Sequence, residues 1–310
     1  MPEMDGLQTL TEIRKIYPTL PVIMFSTLTE RGGVKTLEAL ALGATDYVTK
    51  PANVGSVSIA AQRIKDELIP KIKFFCANKL GGKTLPTVKP DKTFIPPPRK
   101  TLPRPKTPTL IQRVDIVAIG VSTGGPNALA DLLPVFPESF SVPIVIVQHM
   151  PPYFTKLLAE QLTTKSNITI KEAVPGDVLK PGQAWIAPGD YHMILEKNES
   201  GVTVKTNQAP PENSCRPAVD VLFRSVAEIY GSNVLAIILT GMGQDGLIGC
   251  EYIKDGDGQV IVQDEESCVV WGMPGFVAKA GLADQILPLS QIGPETLNAL
   301  KVGRRAPTIF

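Results

Sequence analysis

Ser122 stands between glycines in a pattern that could support nucleophilic chemistry. Gly120, Ser122 and Gly124 match G-x-S-x-G, in which a sharp turn after a strand presents a serine hydroxyl to substrate. A short β-branched run precedes this turn at 114–119, and a helical apolar pattern follows it at 126–133. The spacing therefore predicts a strand, a turn and a helix, with Ser122 at the carboxyl end of the strand.

The same turn has two other interpretations. Glycine-rich turns between a strand and a helix often bind phosphate through backbone N–H groups, and a serine there can cap the helix. The letters GVSTGG do not match the dinucleotide pattern G-x-G-x-x-G, and no G-K-[ST] ending follows them. This window alone leaves a nucleophile, an anion site and a helix cap open.

A serine nucleophile needs a neighbouring base, and the chain contains two histidines. His149 ends the buried apolar run Ser141–His149, which predicts a strand that could lie near the strand before Ser122. His192 lies among short alternating segments, where a structural histidine is the better interpretation. His149 is therefore the candidate base.

A histidine base needs a carboxylate that fixes its tautomer and stabilises the imidazolium. Asp245 follows an apolar run in the glycine-rich stretch Val234–Gly246, which is a suitable place for this group. Its alternative role is that of a turn or helix-capping aspartate. The competing acid, Asp220, is predicted to lie on a helix surface.

Strands alternate with helices over residues 112–301, which predicts a doubly wound α/β domain with a mostly parallel sheet. Several short segments with Pro-Gly turns, Lys171–Thr206, predict a small β insertion. Because Ser122, His149 and Asp245 all fall at or just beyond the ends of predicted parallel strands, one crevice can hold them.

Composition narrows the class of protein. The chain has 310 residues and a formal net charge of +1, which gives no support to nucleic-acid or anionic-membrane binding. Its four cysteines are scattered without a C-x-x-C pair, so we expect no metal site and no disulfide framework. With no signal peptide and no apolar run of bilayer length, we expect a soluble cytoplasmic protein without membrane insertion.

The amino-terminal part differs from the rest. Residues 1–75 also alternate helix and strand, and Ser26 and Lys50 are predicted to end two strands. Residues 76–111 are rich in proline and basic residues without apolar periodicity, which predicts a semi-rigid linker. Residues 302–310 form a tail.

The segments MPEMDGL, at the start of the chain, and GATDYVTKP, at Gly43–Pro51, resemble the second half of a response-regulator receiver domain. The resemblance implies that Ser26 and Lys50 correspond to the hydroxyl and lysine that contact the phosphoryl group. In that family the phosphoacceptor aspartate lies just before the MPEMDG segment. We therefore expect a partial receiver from a truncation or an incomplete gene model, with activity that a phosphodonor such as acetyl phosphate does not raise.

Five segments of the second domain carry a more specific resemblance: IGVSTGGP, VQHMPPYFT, SCRPAVDVLFRS, LTGMGQDG and ESCVVWGMPG. Together and in this order they are similar to the catalytic domain of chemotaxis response-regulator protein-glutamate methylesterases. The similarity covers nearly all of residues 112–301. The chain order Ser, His, Asp differs from that of α/β-hydrolases, so the G-x-S-x-G pattern is convergent.

This resemblance implies a role for each matching residue. Ser122 is the nucleophile, His149 is the base, Asp245 orients the base, and the backbone N–H of Met242 contributes to the oxyanion hole. The other matching pocket positions are Thr123, Gly124, Gly125 and Arg216.

The implied reaction is hydrolysis of glutamate γ-methyl esters, with glutamine deamidation, on the cytoplasmic helices of methyl-accepting chemotaxis receptors. No cofactor is expected, and a histidine kinase is a partner only for a complete receiver. Two alternatives remain: a non-catalytic output module that binds receptor helices, and a serine esterase for small molecules. Replacement of Ser122 by Ala separates the first from an esterase, and comparison of receptor peptide with simple esters separates the second.

Overall fold

The computed structural model of this protein describes residues 3–51, 57–77 and 113–301. Residues 3–50 and 113–301 belong to one compact unit, and residues 51 and 57–77 belong to a second. Most of the predicted linker at 76–111 and all of the predicted tail at 302–310 lie outside the described residues. The domain boundaries expected from the sequence stay predictions.

The amino-terminal part alternates helix and strand, as the apolar spacing predicts. Its elements are α1 (Gly6–Ile16), β1 (Ile23–Thr27), α2 (Glu30–Ala41), β2 (Asp46–Lys50) and α3 (Val57–Ala77). The strands β1 and β2 pair in parallel, with Ser26 opposite Thr49 and Thr27 opposite Lys50. Ser26 and Lys50 therefore lie at the carboxyl ends of these two strands.

The larger part of the chain contributes nine further strands among the described residues. They are β3 (Ile116–Val121), β4 (Ile144–Gln148), β5 (Thr169–Glu172), β6 (Gln183–Ile186), β7 (His192–Asn198), β8 (Gly201–Asn207), β9 (Val234–Ile238), β10 (Gln259–Gln263) and β11 (Gln285–Leu287).

Six helices lie between or after these strands. They are α4 (Gly125–Leu132), α5 (Phe154–Lys165), α6 (Val219–Tyr230), α7 (Leu247–Asp255), α8 (Met273–Lys279) and α9 (Leu289–Lys301). A short 3-10 turn, Leu133–Val135, follows α4. The sequence reasoning did not identify α8, β11 or α9.

Seven strands form one parallel sheet in the order β11-β10-β9-β3-β4-β6-β5. The chain runs outward from β3 through β4 on one side and returns to β9 on the other, so the strand order reverses next to β3. In open α/β sheets, ligands bind at such a reversal, outside the carboxyl ends of the strands. The predicted doubly wound fold is confirmed.

The predicted β insertion is smaller than expected. Its segments Thr169–Glu172 and Gln183–Ile186 join the parallel sheet, because Ile170, Ala184 and Ile186 are apolar and buried there. Only β7 and β8 form a separate antiparallel pair. Short strands of four residues carry too little periodicity to reveal which sheet they join.

Both faces of the sheet are covered, and β3 shows this most clearly. All six residues of β3 are buried, as is typical of a strand in a parallel sheet between helical layers. Val117 and Ile119 belong to one apolar cluster, whereas Ile116 and Ala118 belong to the other. The sheet therefore separates two cores and holds the ends of its strands rigidly.

Helix α2 and strand β2 pack on the first of these cores. Leu37 and Leu40 of α2 belong to the same buried cluster as Val117. The ring of Tyr47 stacks on that of Phe154 in α5, with 5.4 Å between centroids. This packing fixes β2 against α5, the helix that follows β4.

Two buried aspartates tie the starts of α6 and α7 together. Asp245 accepts hydrogen bonds from Val219 N (2.6 Å) and Asp220 N (3.0 Å), at the beginning of α6. Asp220 in turn accepts from Gly246 N (2.9 Å) and Gly249 N (2.6 Å), at the beginning of α7. Carboxylates at helix amino termini are favourable, because the free N–H groups and the dipole there attract negative charge. Asp220 of α6 thus accepts from the start of α7, and Asp245, in the turn before α7, accepts from the start of α6.

The prediction that Asp220 lies on a helix surface is wrong, because only 1% of this residue is exposed. Burial, together with the nearby charge of Asp245, raises the pKa of Asp220 to about 7. The folded chain therefore holds this proton more tightly than the unfolded chain does.

We expect Asp220→Asn to change the pH dependence of stability. The wild type should lose stability as pH rises from about 4 towards about 7, because folding must then keep an ionised carboxylate buried. The variant has no such charge, so its free energy of unfolding should improve relative to wild type between pH 5 and pH 8. Urea unfolding at pH 5 and at pH 8 measures the difference in the free energy of unfolding between variant and wild type. Asp131→Asn, at an exposed residue, is the control. A difference for Asp220→Asn that is the same at both pH values would contradict the raised pKa of Asp220.

Candidate active site

The three residues predicted to form the site follow three neighbouring strands. Ser122 comes directly after β3, His149 directly after β4, and Asp245 seven residues after β9 ends. Backbone hydrogen bonds hold these ends together: Ser122 N donates to Thr240 O (3.0 Å), and His149 N donates to Val121 O (3.1 Å). The carboxyl edge of the sheet therefore brings all three segments to one place.

His149 and Asp245 form a buried pair. The distance from His149 Nε2 to Asp245 Oδ2 is 2.7 Å, and 1% of Asp245 is exposed. Burial would raise the pKa of Asp245, but the hydrogen bond and charge of His149 and the two amides of α6 hold it below its ordinary value. Asp245 is therefore an ionised carboxylate that can orient an imidazole.

Asp245 has hydrogen-bond donors on both oxygens. Oδ1 accepts from Asn213 Nδ2 (3.0 Å), Asp220 N (3.0 Å) and Gly246 N (3.1 Å), and Oδ2 accepts from Val219 N as well as facing His149. Asn213 Nδ2 also donates to Asp220 Oδ2 (2.8 Å), so one amide bridges the two carboxylates. Sequence reasoning missed Asn213, because nothing in its neighbourhood indicates a partner 32 residues away.

The ring of His149 presents Nε2 to the carboxylate and Nδ1 to Cys215 Sγ, which lies 3.5 Å away. In the familiar Ser-His-Asp arrangement the acid binds Nδ1 instead. Burial disfavours the imidazolium, but the Cys215 sulfur and the Asp245 carboxylate outweigh burial and raise the pKa of His149. Asp245 can therefore stabilise the imidazolium that forms when His149 accepts a proton through Nδ1.

Ser122 follows the neighbouring strand β3 and makes no hydrogen bond to this pair. Its side chain is half-buried, and its hydroxyl makes no hydrogen bond to another residue in the described part of the chain. The structure therefore brings His149 and Asp245 together, whereas a contact between Ser122 and His149 stays a prediction.

Gln148, which sequence reasoning missed, connects the segment of the nucleophile with that of the base. Its Nε2 donates to Ser122 O (3.0 Å) and to His149 O (3.2 Å), and 2% of the residue is exposed. A Cβ at position 125 would overlap Gln148 Oε1, so Gly125 leaves room for this side chain. The position of Gln148 at the end of β4, just before His149, is the one signal that could have identified it.

The segment that follows β9 lies very close to Ser122. An ideal Cβ at Gly241 would lie 2.8 Å from Ser122 Cβ, so only glycine fits next to the serine. Gly124, the N-cap residue just before α4, has φ of 79°, in the left-handed region that favours glycine. Met242 follows Gly241, and within the described residues its N–H donates no hydrogen bond. A free amide at this place is compatible with the predicted oxyanion role of Met242.

Two further predicted pocket residues have structural partners. Thr123 is buried and its hydroxyl donates to Asp46 Oδ2 (3.2 Å), which links the serine turn to β2. Arg216 pairs with Asp190 Oδ1 through Nη2 (2.6 Å) and Nε (3.1 Å). A role in substrate binding stays a prediction for both.

The residues predicted to resemble a phosphate pocket have local partners. Ser26 Oγ donates to Gly32 O (3.1 Å), and Lys50 Nζ lies 5.6 Å from the centroid of the Phe25 ring. His192, predicted to be structural, is buried, and its Nδ1 accepts from Ala218 N (3.2 Å). His192 is therefore confirmed as a packed, structural histidine.

Side-chain ligand atoms of His149, Cys215 and Asp245 lie within 4.8 Å of one another, so this group has the spacing of a metal site.

Among the described helices, none is long and apolar enough to span a bilayer.

Two family models match the chain. The model described as "CheB methylesterase" matches residues 117–296, and the model described as "Response regulator receiver domain" matches residues 1–61. The first match contains Ser122, His149 and Asp245, and the second contains Ser26 and Lys50.

Relatives and a solved structure agree with these matches. A protein-glutamate methylesterase/protein-glutamine glutaminase of Trichodesmium erythraeum is 57% identical over 300 residues, covering 97% of this chain and 83% of the relative. A protein of the same name from a Nocardioides species is 47% identical, covering 100% of this chain and 82% of the relative. The crystal structure of the Thermotoga maritima CheB methylesterase catalytic domain aligns with a TM-score of 0.59 and 46% identity, covering 60% of this chain and 98% of that domain. The chain is therefore an enzyme of the CheB methylesterase family.

Proposed function

We propose that this enzyme hydrolyses glutamate γ-methyl esters on the cytoplasmic helices of chemotaxis receptors, and deamidates glutamines there, through Ser122, His149 and Asp245. The observation that carries this proposal is the buried hydrogen bond between His149 and Asp245 next to the Ser122 turn. The names of the relatives support the substrate class. The site of action would be the cytoplasm, where those receptor helices lie.

The first half of the reaction forms an acyl-enzyme. Ser122 Oγ attacks the ester carbonyl carbon while His149 Nδ1 takes the hydroxyl proton, because a serine hydroxyl is a weak nucleophile without a base. The developing imidazolium is stabilised by Asp245, which has an ionised carboxylate on Nε2. His149 then returns the proton to the leaving methoxide, and methanol departs.

The second half regenerates the enzyme. Water attacks the acyl carbon, His149 takes one proton from it, and Ser122 recovers its own proton as glutamate leaves. With a glutamine substrate the same steps release ammonia instead of methanol. The amide of Met242 would donate to the oxyanion in both halves, and loss of one such donor typically costs about 2.7–4 kcal/mol of transition-state stabilisation.

Replacement of Ser122 by Ala should abolish methanol release from methylated receptor membranes, lowering turnover by at least roughly 10³-fold. Ser200→Ala, at an exposed serine, is the matched control and should keep wild-type turnover. Turnover by Ser122→Ala close to that of the control would contradict Ser122 as nucleophile. Wild-type protein that binds receptor membranes but releases no methanol would favour a non-catalytic module, and preference for simple esters would favour a small-molecule esterase.

Gln148 is proposed as a positioning residue, since it holds the carbonyls of Ser122 and His149. We expect Gln148→Ala to lower kcat by roughly 10- to 100-fold with little change in KM, because small misplacements of reacting groups are costly.

Thr163→Val is the control for lost stability alone, because the Thr163 hydroxyl also bonds two backbone groups, both of Ile170. It should lower the thermal midpoint without lowering kcat. An unchanged kcat in Gln148→Ala, or an equal loss in Thr163→Val, would contradict the positioning role.

A further inference from the structure

Cys215 lies at the reacting face of His149 but carries out no step of the proposed ester hydrolysis. Its Sγ is 3.5 Å from His149 Nδ1, the nitrogen that Asp245 leaves free. The residue is half-buried and is not enclosed in the core. A cysteine sulfur and an imidazole nitrogen that face each other at this distance are placed so that both can bind the same metal ion.

We propose that Cys215 Sγ and His149 Nδ1 bind a zinc ion, with Asp245 supporting the histidine from behind, and that zinc thereby inhibits the enzyme. The inhibitory role rests on the proposed function of His149 as base, whereas the binding of zinc does not.

The spacing of the two ligand atoms fits zinc without rearrangement. Zinc binds sulfur at about 2.3 Å and histidine nitrogen at about 2.0–2.1 Å in tetrahedral geometry, which places the two ligand atoms roughly 3.5 Å apart. The observed distance between Cys215 Sγ and His149 Nδ1 is 3.5 Å. Thiolate and imidazole also select zinc over magnesium and calcium, which prefer oxygen ligands.

Asp245 fits the role of an outer carboxylate. Histidines that bind metals usually donate their second ring N–H to a carboxylate, which fixes the ring and strengthens it as a ligand. The bond between His149 Nε2 and Asp245 Oδ2 has this form. Because both oxygens of Asp245 already accept backbone or side-chain donors, the carboxylate stays in place when the ion binds.

The other described cysteines near this part of the chain are unsuited to zinc. Burial raises the pKa of Cys268 to about 12 and that of Cys250 well above its ordinary value, so both thiols stay protonated. A thiol binds metal as the thiolate. Cys215 is therefore the cysteine to which a zinc effect should be assigned.

Zinc inhibits the enzyme in this proposal because it occupies the lone pair of His149 Nδ1. His149 Nδ1 must be unoccupied to accept the Ser122 proton in the proposed reaction. An ion bound there removes the base from the reaction. Two protein ligands leave coordination positions for water, so the ion should be held reversibly and removed by a chelator.

Cobalt(II), which is visible in the absorption spectrum, tests the site in the full chain kept reduced with a phosphine. We expect a thiolate-to-cobalt charge-transfer band in the wild type and in Cys76→Ala, which removes another exposed thiol. The band should disappear in Cys215→Ala and in His149→Ala. A band that persists in Cys215→Ala, or a wild type without one, would overturn the site.

Zinc titration of methanol release then tests inhibition, each variant being compared with its own activity without zinc. Zinc should inhibit the wild type and Cys76→Ala, EDTA should reverse this, and the concentration for half inhibition should rise at least tenfold in Cys215→Ala. Equal sensitivity of Cys215→Ala would overturn the inhibitory role. A Cys215-dependent cobalt band in a wild type that releases no methanol would support the site and refute the proposed function.

Discussion

The placement of one ionised carboxylate inside the protein is the constraint on which this site depends. Leaving a buried charge without partners costs several kcal/mol, so Asp245 requires donors on both oxygens. It obtains them from the amino terminus of α6, from Asn213, from its own turn and from His149. The same bonds that make the charge tolerable also fix the direction in which it meets the imidazole.

The fold supplies this constraint through its strand order. Because β3 lies between β4 and β9, the segments after these three strands meet at one edge of the sheet. The buried glutamine at the end of β4 and the glycine after β9 then set how closely those segments approach. Rigid strands below and capped helices above leave the side chains of the site little freedom, which is what preorganised catalysis requires.

Much of this was visible in the sequence. Unbroken apolar runs before Ser122 and His149 predicted buried parallel strands, and the rule for strand ends then predicted a common crevice. The orientation of the imidazole was not predictable, because it depends on which ring nitrogen meets a carboxylate 96 residues away. Gln148, Asn213 and Cys215 were missed for the same reason: each acts through contacts that local spacing does not encode. Asp220 was misassigned because its helical position resembles that of a surface residue, whereas its partners lie at the start of α7.

We expect Ser122 to be reactive only because His149 and the buried Asp245 activate it. Labelling with a fluorophosphonate, followed by peptide mass mapping, tests this most directly, since the reagent reports nucleophilicity without any receptor substrate. The adduct should lie on Ser122, and its rate of formation should fall by at least roughly 10³-fold in Asp245→Asn. An adduct on another residue, or a labelling rate that does not depend on Asp245, would contradict the account.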